Sequence, residues 1–342
     1  MMQSPNTKPI IILTGATGFI GSFITEKALK DGFQLIALTR ANSNSKWLKE
    51  QNCLVETVDF SNVDELKNIF AKLLSTHGQI DYVIHNAGIT KTNKVAEFEL
   101  VNYTYTKNLI DALLGANINL KKFVLVSSLA ALGPGNEKNL APITSASTPS
   151  PDTAYGKSKL LAEKYLQTFT SLNWLIIRPT GVYGPKEKDY FLMLRTVQNG
   201  LAPKIGFRDQ YLTFVYVTDL VDVIIQSLKS PYSRKSYLVT DGNTYTADFY
   251  RDLCKRLLNK KAIKLTIPLG LVGFLSLLLE ATYGIFNRTP TLNRDKFLTL
   301  RAKNWKCDIS DTIKDLNYQP KFDLETGLRE SIAWFKREKW LN

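Results

Sequence analysis

The chain has 342 residues, too many for one minimal domain and suited to a larger domain with a smaller companion. With 44% hydrophobic residues a full core can be buried, which excludes a disordered chain, and 44 Lys and Arg against 31 Asp and Glu leave a net charge of +13. That excess suits a phosphorylated ligand, an anionic membrane surface or a solvated basic face; with no dense Lys/Arg run interleaved with aromatics, nucleic acid is not an expected partner.

Met1–Pro9 is polar and the apolar run behind it, Ile10–Leu13, has four residues, too few for a signal peptide. Three scattered cysteines (Cys53, Cys254, Cys307) and two histidines (His77, His85) form no CxxC pair and no ligand cluster. No metal is expected, and a reducing cytoplasm is the expected setting.

Ile10–Thr14 reads as a strand buried on both faces, and Ile20–Lys30 as the helix after it. Between them runs Thr14-Gly15-Ala16-Thr17-Gly18-Phe19-Ile20-Gly21. Gly15 permits the tight turn, Gly18 lets backbone approach a pyrophosphate, and Gly21 lets helix and strand pack closely. The helix start supplies N–H donors and a dipole for phosphate, so Thr17, Phe19 and Ile20 join the glycines as cofactor residues. The second strand, Gln34–Thr39, ends at Arg40 with no carboxylate before Glu50. An arginine there suits a 2′-phosphate, so NADP(H) is the expected cofactor, with NAD(H) as the alternative. After the third strand (Leu54–Val58), Asp59 and Phe60 are expected near the adenine; the competing reading is a cap for the helix Val63–Ser75, for which Ser61 or Asn62 is better placed.

Tyr82–His85, Thr104–Ala116, Lys122–Ser127, Ala154–Phe169 and Trp174–Arg178 continue the alternation of strand and helix. The pattern predicts a doubly wound parallel sheet of Rossmann type. Ser127-Ser128 closes a buried strand, where open α/β sheets bind ligands, and Ser128 is expected to hold a substrate oxygen. The competing reading, a strand-end hydroxyl satisfying loop backbone, suits Ser127. Gly133–Pro151 reads as a mobile loop. Tyr155 and Lys159 stand four apart on one helix face, so the ammonium is expected to lower the phenol's pKa and make Tyr155 a general acid or base.

Beyond Gly184 the rhythm loosens into loops, a strand-like run at Ser236–Val239 and helices at Ala247–Leu258 and Leu324–Glu338. The expected division is 1–183 for the cofactor, with a contribution from about 211–240, and 184–342 mainly as a smaller, discontinuous cap. Ile267–Phe286 carries one charge, Glu280. It reads as a buried or lid helix, an interfacial membrane contact, or a span, the last weakened by its length and by Pro268, Gly270 and Gly273.

The glycine motif, the Ser128/Tyr155/Lys159 set, Arg178-Pro-Thr-Gly-Val-Tyr-Gly-Pro185 and Phe214-Val-Tyr-Val-Thr-Asp219-Leu220 together resemble the extended short-chain dehydrogenase/reductases, over nearly the whole chain. The resemblance implies cofactor contacts at Asn86, Ala87, Gly88, Asn102, Ser127, Tyr155, Lys159, Pro179, Thr180 and Val182. His85-Asn86-Ala87-Gly88 departs from the extended family's HxAA, with no expected change of chemistry. Asn304-Trp-Lys-Cys-Asp308, Leu316-Asn-Tyr-Gln-Pro320 and Gly327 to Trp340 resemble the branch of 3β-hydroxysteroid dehydrogenases, and bacterial 3-ketosphinganine reductases fit too. The function so implied is NADP(H)-dependent reduction of a keto group, or oxidation of the alcohol, on a lipophilic substrate. Two alternatives stand beside it: a nucleotide-sugar epimerase, dehydratase or reductase using Arg195, Lys204 and Arg208 on a diphosphate, and a non-catalytic NADP(H)-binding sensor or assembly protein. The resemblance also implies a homodimer through Thr104–Ala116 and Ala154–Phe169, and a peripheral contact of 267–286 with the inner face of a membrane.

Overall fold

The computed structural model describes residues 8–48, 51–285 and 290–341; Glu50 and Phe286 lie outside them. The elements begin with β1 (Ile10–Thr14), α1 (Phe19–Lys30), β2 (Gln34–Thr39), β3 (Leu54–Thr57), α2 (Val63–His77), β4 (Tyr82–His85) and α3 (Val95–Glu99). A π-helical turn (Leu100–Thr104) carries α3 into α4 (Tyr105–Gly115), followed by β5 (Lys122–Val126), α5 (Ala154–Gln167), β6 (Trp174–Pro179) and β7 (Gly181–Tyr183). Then come α6 (Asp189–Gln198), β8 (Leu201–Ile205), β9 (Tyr211–Leu212), β10 (Phe214–Tyr216), α7 (Val217–Lys229), β11 (Lys235–Val239) and β12 (Tyr245–Thr246). The chain ends with α8 (Ala247–Leu257), β13 (Ile263–Ile267), α9 (Leu269–Ile285), α10 (Arg294–Arg301), α11 (Ser310–Leu316) and α12 (Leu324–Arg337).

Seven strands form one parallel sheet in the order β11-β6-β5-β4-β1-β2-β3. The order reverses between β1 and β4, and the crevice at that point is where doubly wound sheets take ligands. Period-two alternation explains the layering: Ile11 and Leu13 pack with Ile24 of α1 and Ile224 of α7, whereas Ile10 and Ile12 pack with Phe70 of α2, Leu109 of α4 and Leu166 of α5. The Lys235–Val239 strand, expected one residue shorter among the C-terminal elements, pairs with β6 and closes the sheet.

A third cluster joins α6, α8 and α12 through Leu194, Leu253, Leu328 and Phe335, with Phe191 and Phe335 ring centroids 4.9 Å apart. Gly133–Pro151, expected to be mobile from its composition, is fastened instead. Gly135 N–H donates to the Asn304 carbonyl at 2.8 Å, Ile143 N–H to that of Lys306 at 2.8 Å, and Asp308 N–H to that of Ile143 at 2.9 Å. A partner some 160 residues away in sequence is invisible to loop composition.

Within the core, Arg178 donates from Nε to Glu163 Oε1 at 3.0 Å and from Nη2 to Oε2 at 2.7 Å, tying β6 to α5 with both side chains buried. Removing one partner strands the other charge away from water. Glu163→Ala is therefore expected to cost about 3–5 kcal/mol, read as a lower urea midpoint with an unchanged slope.

Candidate functional site

The β1–α1 turn is shaped by what its glycines lack. Gly15 adopts φ +72°, and a Cβ there would lie 2.7 Å from the Ala87 nitrogen; a Cβ on Gly21 would fall on the Gly15 carbonyl. Gly18 is the N-cap of α1 and provides no side-chain cap, so the helix start is left open to an external anion. Across the switch point, Asn86 Nδ2 donates to the Gly15 carbonyl at 3.4 Å and Ala87 N–H to Thr14 Oγ1 at 3.1 Å. Gly15 thus meets Asn86 and Ala87 in close backbone contact where the strand order reverses, with the start of α1 beside it. That shape fits a dinucleotide pyrophosphate.

Arg40 directly follows β2 and is exposed, its backbone N–H donating to Ser43 Oγ at 3.2 Å. Asp59 is committed to a local turn: its carboxylate accepts from Ser61 N–H at 2.8 Å and Ser61 Oγ at 2.7 Å, bonds that hold its pKa below the usual range. Asn62 is the N-cap of α2, accepting from Glu65 N–H at 3.1 Å. Phe60 is buried with its ring stacked on Tyr105 (centroids 6.2 Å apart), and its carbonyl accepts from Asn108 Nδ2 at 2.9 Å.

Helix α5 presents Tyr155, Lys159 and Glu163 along one stripe. Lys159 Nζ donates to the Val126 carbonyl at 3.0 Å, and a Cβ on Gly88 would lie 3.1 Å from it. Burial pulls the Lys159 pKa down to about 8, with Glu163 opposing. Asn102 is a brace rather than an open ligand: Oδ1 accepts from Ile89 N–H at 2.8 Å, and Nδ2 donates to Ile89 O at 3.0 Å and to Ser158 Oγ at 2.9 Å. His85 sits between the Thr14 and Thr106 hydroxyls at 2.7 and 2.8 Å; burial and then Lys159 lower its pKa to about 3, so it is neutral.

The Tyr155 hydroxyl hydrogen-bonds the Ser128 side chain, which favours the phenolate, but burial outweighs it and the phenol pKa is raised. The expected lowering by Lys159 is not found. Its ammonium is spent on the Val126 carbonyl, and desolvation dominates the phenol. The loop-backbone bond expected of Ser127 is made by Ser128 instead. Ser128 Oγ accepts from Ala130 N–H at 3.1 Å, serving loop backbone as well as Tyr155, whereas Ser127 Oγ is buried without a partner.

Tyr155 and Ser128 open into a cavity of about 550 Å³, with Pro179, Thr180 and Gly181 beside them. The Thr180 N–H is used by the Val239 carbonyl at 3.2 Å, and Val182 is paired in β7 with Val215 of β10. Met193, Ile205, Leu212, Ile267 and Leu300 make much of the outer lining apolar. Of Arg195, Lys204 and Arg208, only Lys204 lines this cavity, and it is ion-paired with Asp248. Asp295 and Lys296 of α10 also line it; sequence reasoning missed both, because nothing local marks a helix 140 residues from Tyr155 as its neighbour.

The model of the NAD dependent epimerase/dehydratase family matches residues 11–240. The chain belongs to that family. It is accordingly an enzyme of the extended short-chain dehydrogenase/reductase type, with the Rossmann fold described above. Among similar proteins, the UDP-glucose 4-epimerase of Vibrio cholerae is 27% identical over 95% of each chain. The decarboxylating sterol-4-alpha-carboxylate 3-dehydrogenase of Dictyostelium discoideum is 23% identical over 94% of this chain and 99% of its own. The ceramide reductase of Caulobacter vibrioides is 21% identical over 99% and 98%. In fold, the UDP-glucose 4-epimerase of Thermotoga maritima, solved with UDP-glucose, superposes with a TM-score of 0.78 at 20% identity, covering 96% of this chain and 99% of that one.

The buried Lys159 is expected to titrate near 8. In Cε-labelled lysine NMR one resonance, assigned by its loss in Lys159→Met, should move with that midpoint, below the ordinary lysine value of about 10.4. A midpoint above 10 for that resonance contradicts the burial argument.

Proposed function

We propose that this enzyme uses NADP(H) to reduce a keto group, or to oxidise the corresponding alcohol, on a lipophilic substrate. The observation that carries the reading is the Ser128–Tyr155 pair in a cavity whose lining is largely apolar. Ser128 Oγ holds the substrate oxygen against the phenol, and Tyr155 delivers its proton to that oxygen during reduction. The raised phenol pKa keeps that proton in place until a developing alkoxide takes it. Lys159, within reach of Gly88, orients the cofactor's ribose side of the site. The nicotinamide, when bound, supplies or takes the hydride. Gly15 to Gly21 and Asn86 to Gly88 hold the dinucleotide, Pro179, Thr180 and Val182 flank its nicotinamide end, and Arg40 selects the 2′-phosphate. In this reading 1–183 with 211–240 carries the cofactor, and the remainder of 184–342 covers the substrate.

A nucleotide-sugar reading is favoured by the similarity to UDP-sugar epimerases such as that of Vibrio cholerae. Against it stands the pairing of Lys204 with Asp248 and the absence of Arg195 and Arg208 from the cavity lining. NADPH consumption with a long-chain 3-keto lipid or a ketosteroid is the expected activity, and Tyr155→Phe should lower kcat by about 10²–10⁴. Arg40→Ala should raise KM for NADPH roughly tenfold or more and leave NADH nearly unchanged. Turnover of UDP-glucose, with none of either lipid class, replaces this reading by the epimerase one.

The same reading gives the enzyme an anionic lipid surface as partner. No helix among the described residues is long and apolar enough to cross a membrane. Burial of the 267–286 segment, one of its expected fates, is not what α9 shows: Val272 and Ser276 face inward, but Phe274 is 63% exposed, with Leu271, Leu277 and Leu278 also outward. Ile263 and Leu265 on the strand leading into α9 are exposed as well, and Lys260, Lys261, Arg294 and Arg301 supply exposed cations around them. Exposed Leu114 of α4 and Leu161 of α5 support pairing of two copies through those helices. Phe274→Glu with Leu277→Glu should abolish co-sedimentation with phosphatidylserine-containing vesicles. Equal sedimentation of both proteins removes α9 from the contact.

A further inference from the structure

The first backbone N–H groups of a helix have no partner within it. In α5 three of them are Ala154, Tyr155 and Gly156. Thr153, the N-cap, accepts the Gly156 N–H through Oγ1 at 3.0 Å. The other two are taken by one carboxylate from far along the chain: Asp295 Oδ1 accepts from Ala154 N–H at 3.1 Å and Oδ2 from Tyr155 N–H at 2.8 Å. A negative charge at a helix N-terminus is favoured by the helix dipole as well as by the bonds themselves.

Asp295 lies in the first turn of α10, where Asn293 caps the helix by accepting from Lys296 N–H at 2.8 Å. One face of α10 lines the substrate cavity with Asp295, Lys296, Thr299 and Leu300. Another packs on α9, with the Phe297 ring 3.1 Å from where a Cβ on Gly273 would stand. Lys296 Nζ reaches Asp189 of α6 at 3.5 Å, and Asp189 also pairs with Lys91. The wall of the cavity and the start of the helix that carries Tyr155 are therefore joined through a single side chain.

We propose that Asp295 is a positioning residue, whose carboxylate completes the first turn of α5 when α10 is seated over the cavity and so holds the Tyr155 phenol at the reacting oxygen. This rests on the reading of Tyr155 as proton donor. The direction of a side chain follows the backbone beneath it. A first turn left with two unpaired N–H groups frays, and a misplacement of about 1 Å at a proton donor costs roughly 10²-fold in rate. The cofactor cradle at Gly15–Gly21 lies on another helix and does not depend on this bond.

The test uses the full-length enzyme and Asp295→Ala, Asp295→Asn and Tyr155→Phe, with NADPH and a long-chain 3-keto lipid as probes. Asp295→Ala is expected to lower kcat by about 10–100-fold with KM for NADPH unchanged, and Asp295→Asn, which keeps one acceptor oxygen, to recover part of it. Amide hydrogen exchange at 154–155 should speed up in Asp295→Ala while the α1 amides stay as in the wild type. Wild-type kcat in Asp295→Ala, or unchanged exchange at 154–155, overturns the proposal. So does a rise in KM for NADPH in step with the loss of kcat, which marks a disturbed cofactor site, or faster exchange of the α1 amides, which marks general unfolding. Full activity in Tyr155→Phe, or no turnover of the keto lipid by the wild type, strikes the reading of Tyr155 instead, and the exchange measurement still decides whether Asp295 holds the helix.

Discussion

The buried Arg178–Glu163 pair bolts the carboxyl end of β6 to α5, and the placement of the candidate site follows from that bolt. Glu163, Lys159 and Tyr155 succeed one another at intervals of four, so fixing the first rotates the other two to the sheet's carboxyl edge. Lys159 is thereby driven onto the Val126 carbonyl and beside Gly88, and Tyr155 onto Ser128. A charge pair in this position is a poor source of net stability. Its worth here is orientational: one helix rotation brings a phenol and an ammonium to the sheet's carboxyl edge.

The same crevice is bounded on its other side by close backbone approach. Gly15 and Ala87 stand where no Cβ fits between them, and this joins β1 to the segment after β4 at the point where strand order reverses. Neutral His85, held between Thr14 and Thr106, reinforces the junction without adding charge next to Lys159. The C-terminal elements then close over the crevice. They are held by an aromatic cluster under α12, by the Asn304–Asp308 segment on the loop after β5, and by Asp295 on the start of α5.

Much of this was legible from residue order. The strands Ile10–Thr14, Gln34–Thr39 and Tyr82–His85 stand as read, since buried parallel strands are short apolar runs with little competing pattern. Ser128 and Tyr155 line one cavity, Lys159 stands beside Gly88, and Gly15 meets Ala87. The side-chain assignments were less legible. Asp59 serves Ser61, Phe60 turns into the core, Asn102 braces Ile89 and Ser158, and the Thr180 N–H belongs to Val239. In each case a polar group or ring meets a partner that position in a motif does not reveal.

Local pattern alone determined the sheet, its helices and the stripe carrying Tyr155 and Lys159, because hydrophobic period and glycine placement are properties of a few consecutive residues. Tertiary structure decided the protonation of that stripe, since desolvation depends on what surrounds the phenol and the ammonium on every side. It decided too that α9 lies outward despite an apolar sequence, because burial needs a facing surface and, among the described residues of α9, only Val272 and Ser276 are buried. And it brought Asp295 to the N–H groups of Ala154 and Tyr155 across 140 residues, a pairing that exists only once the chain has closed on itself.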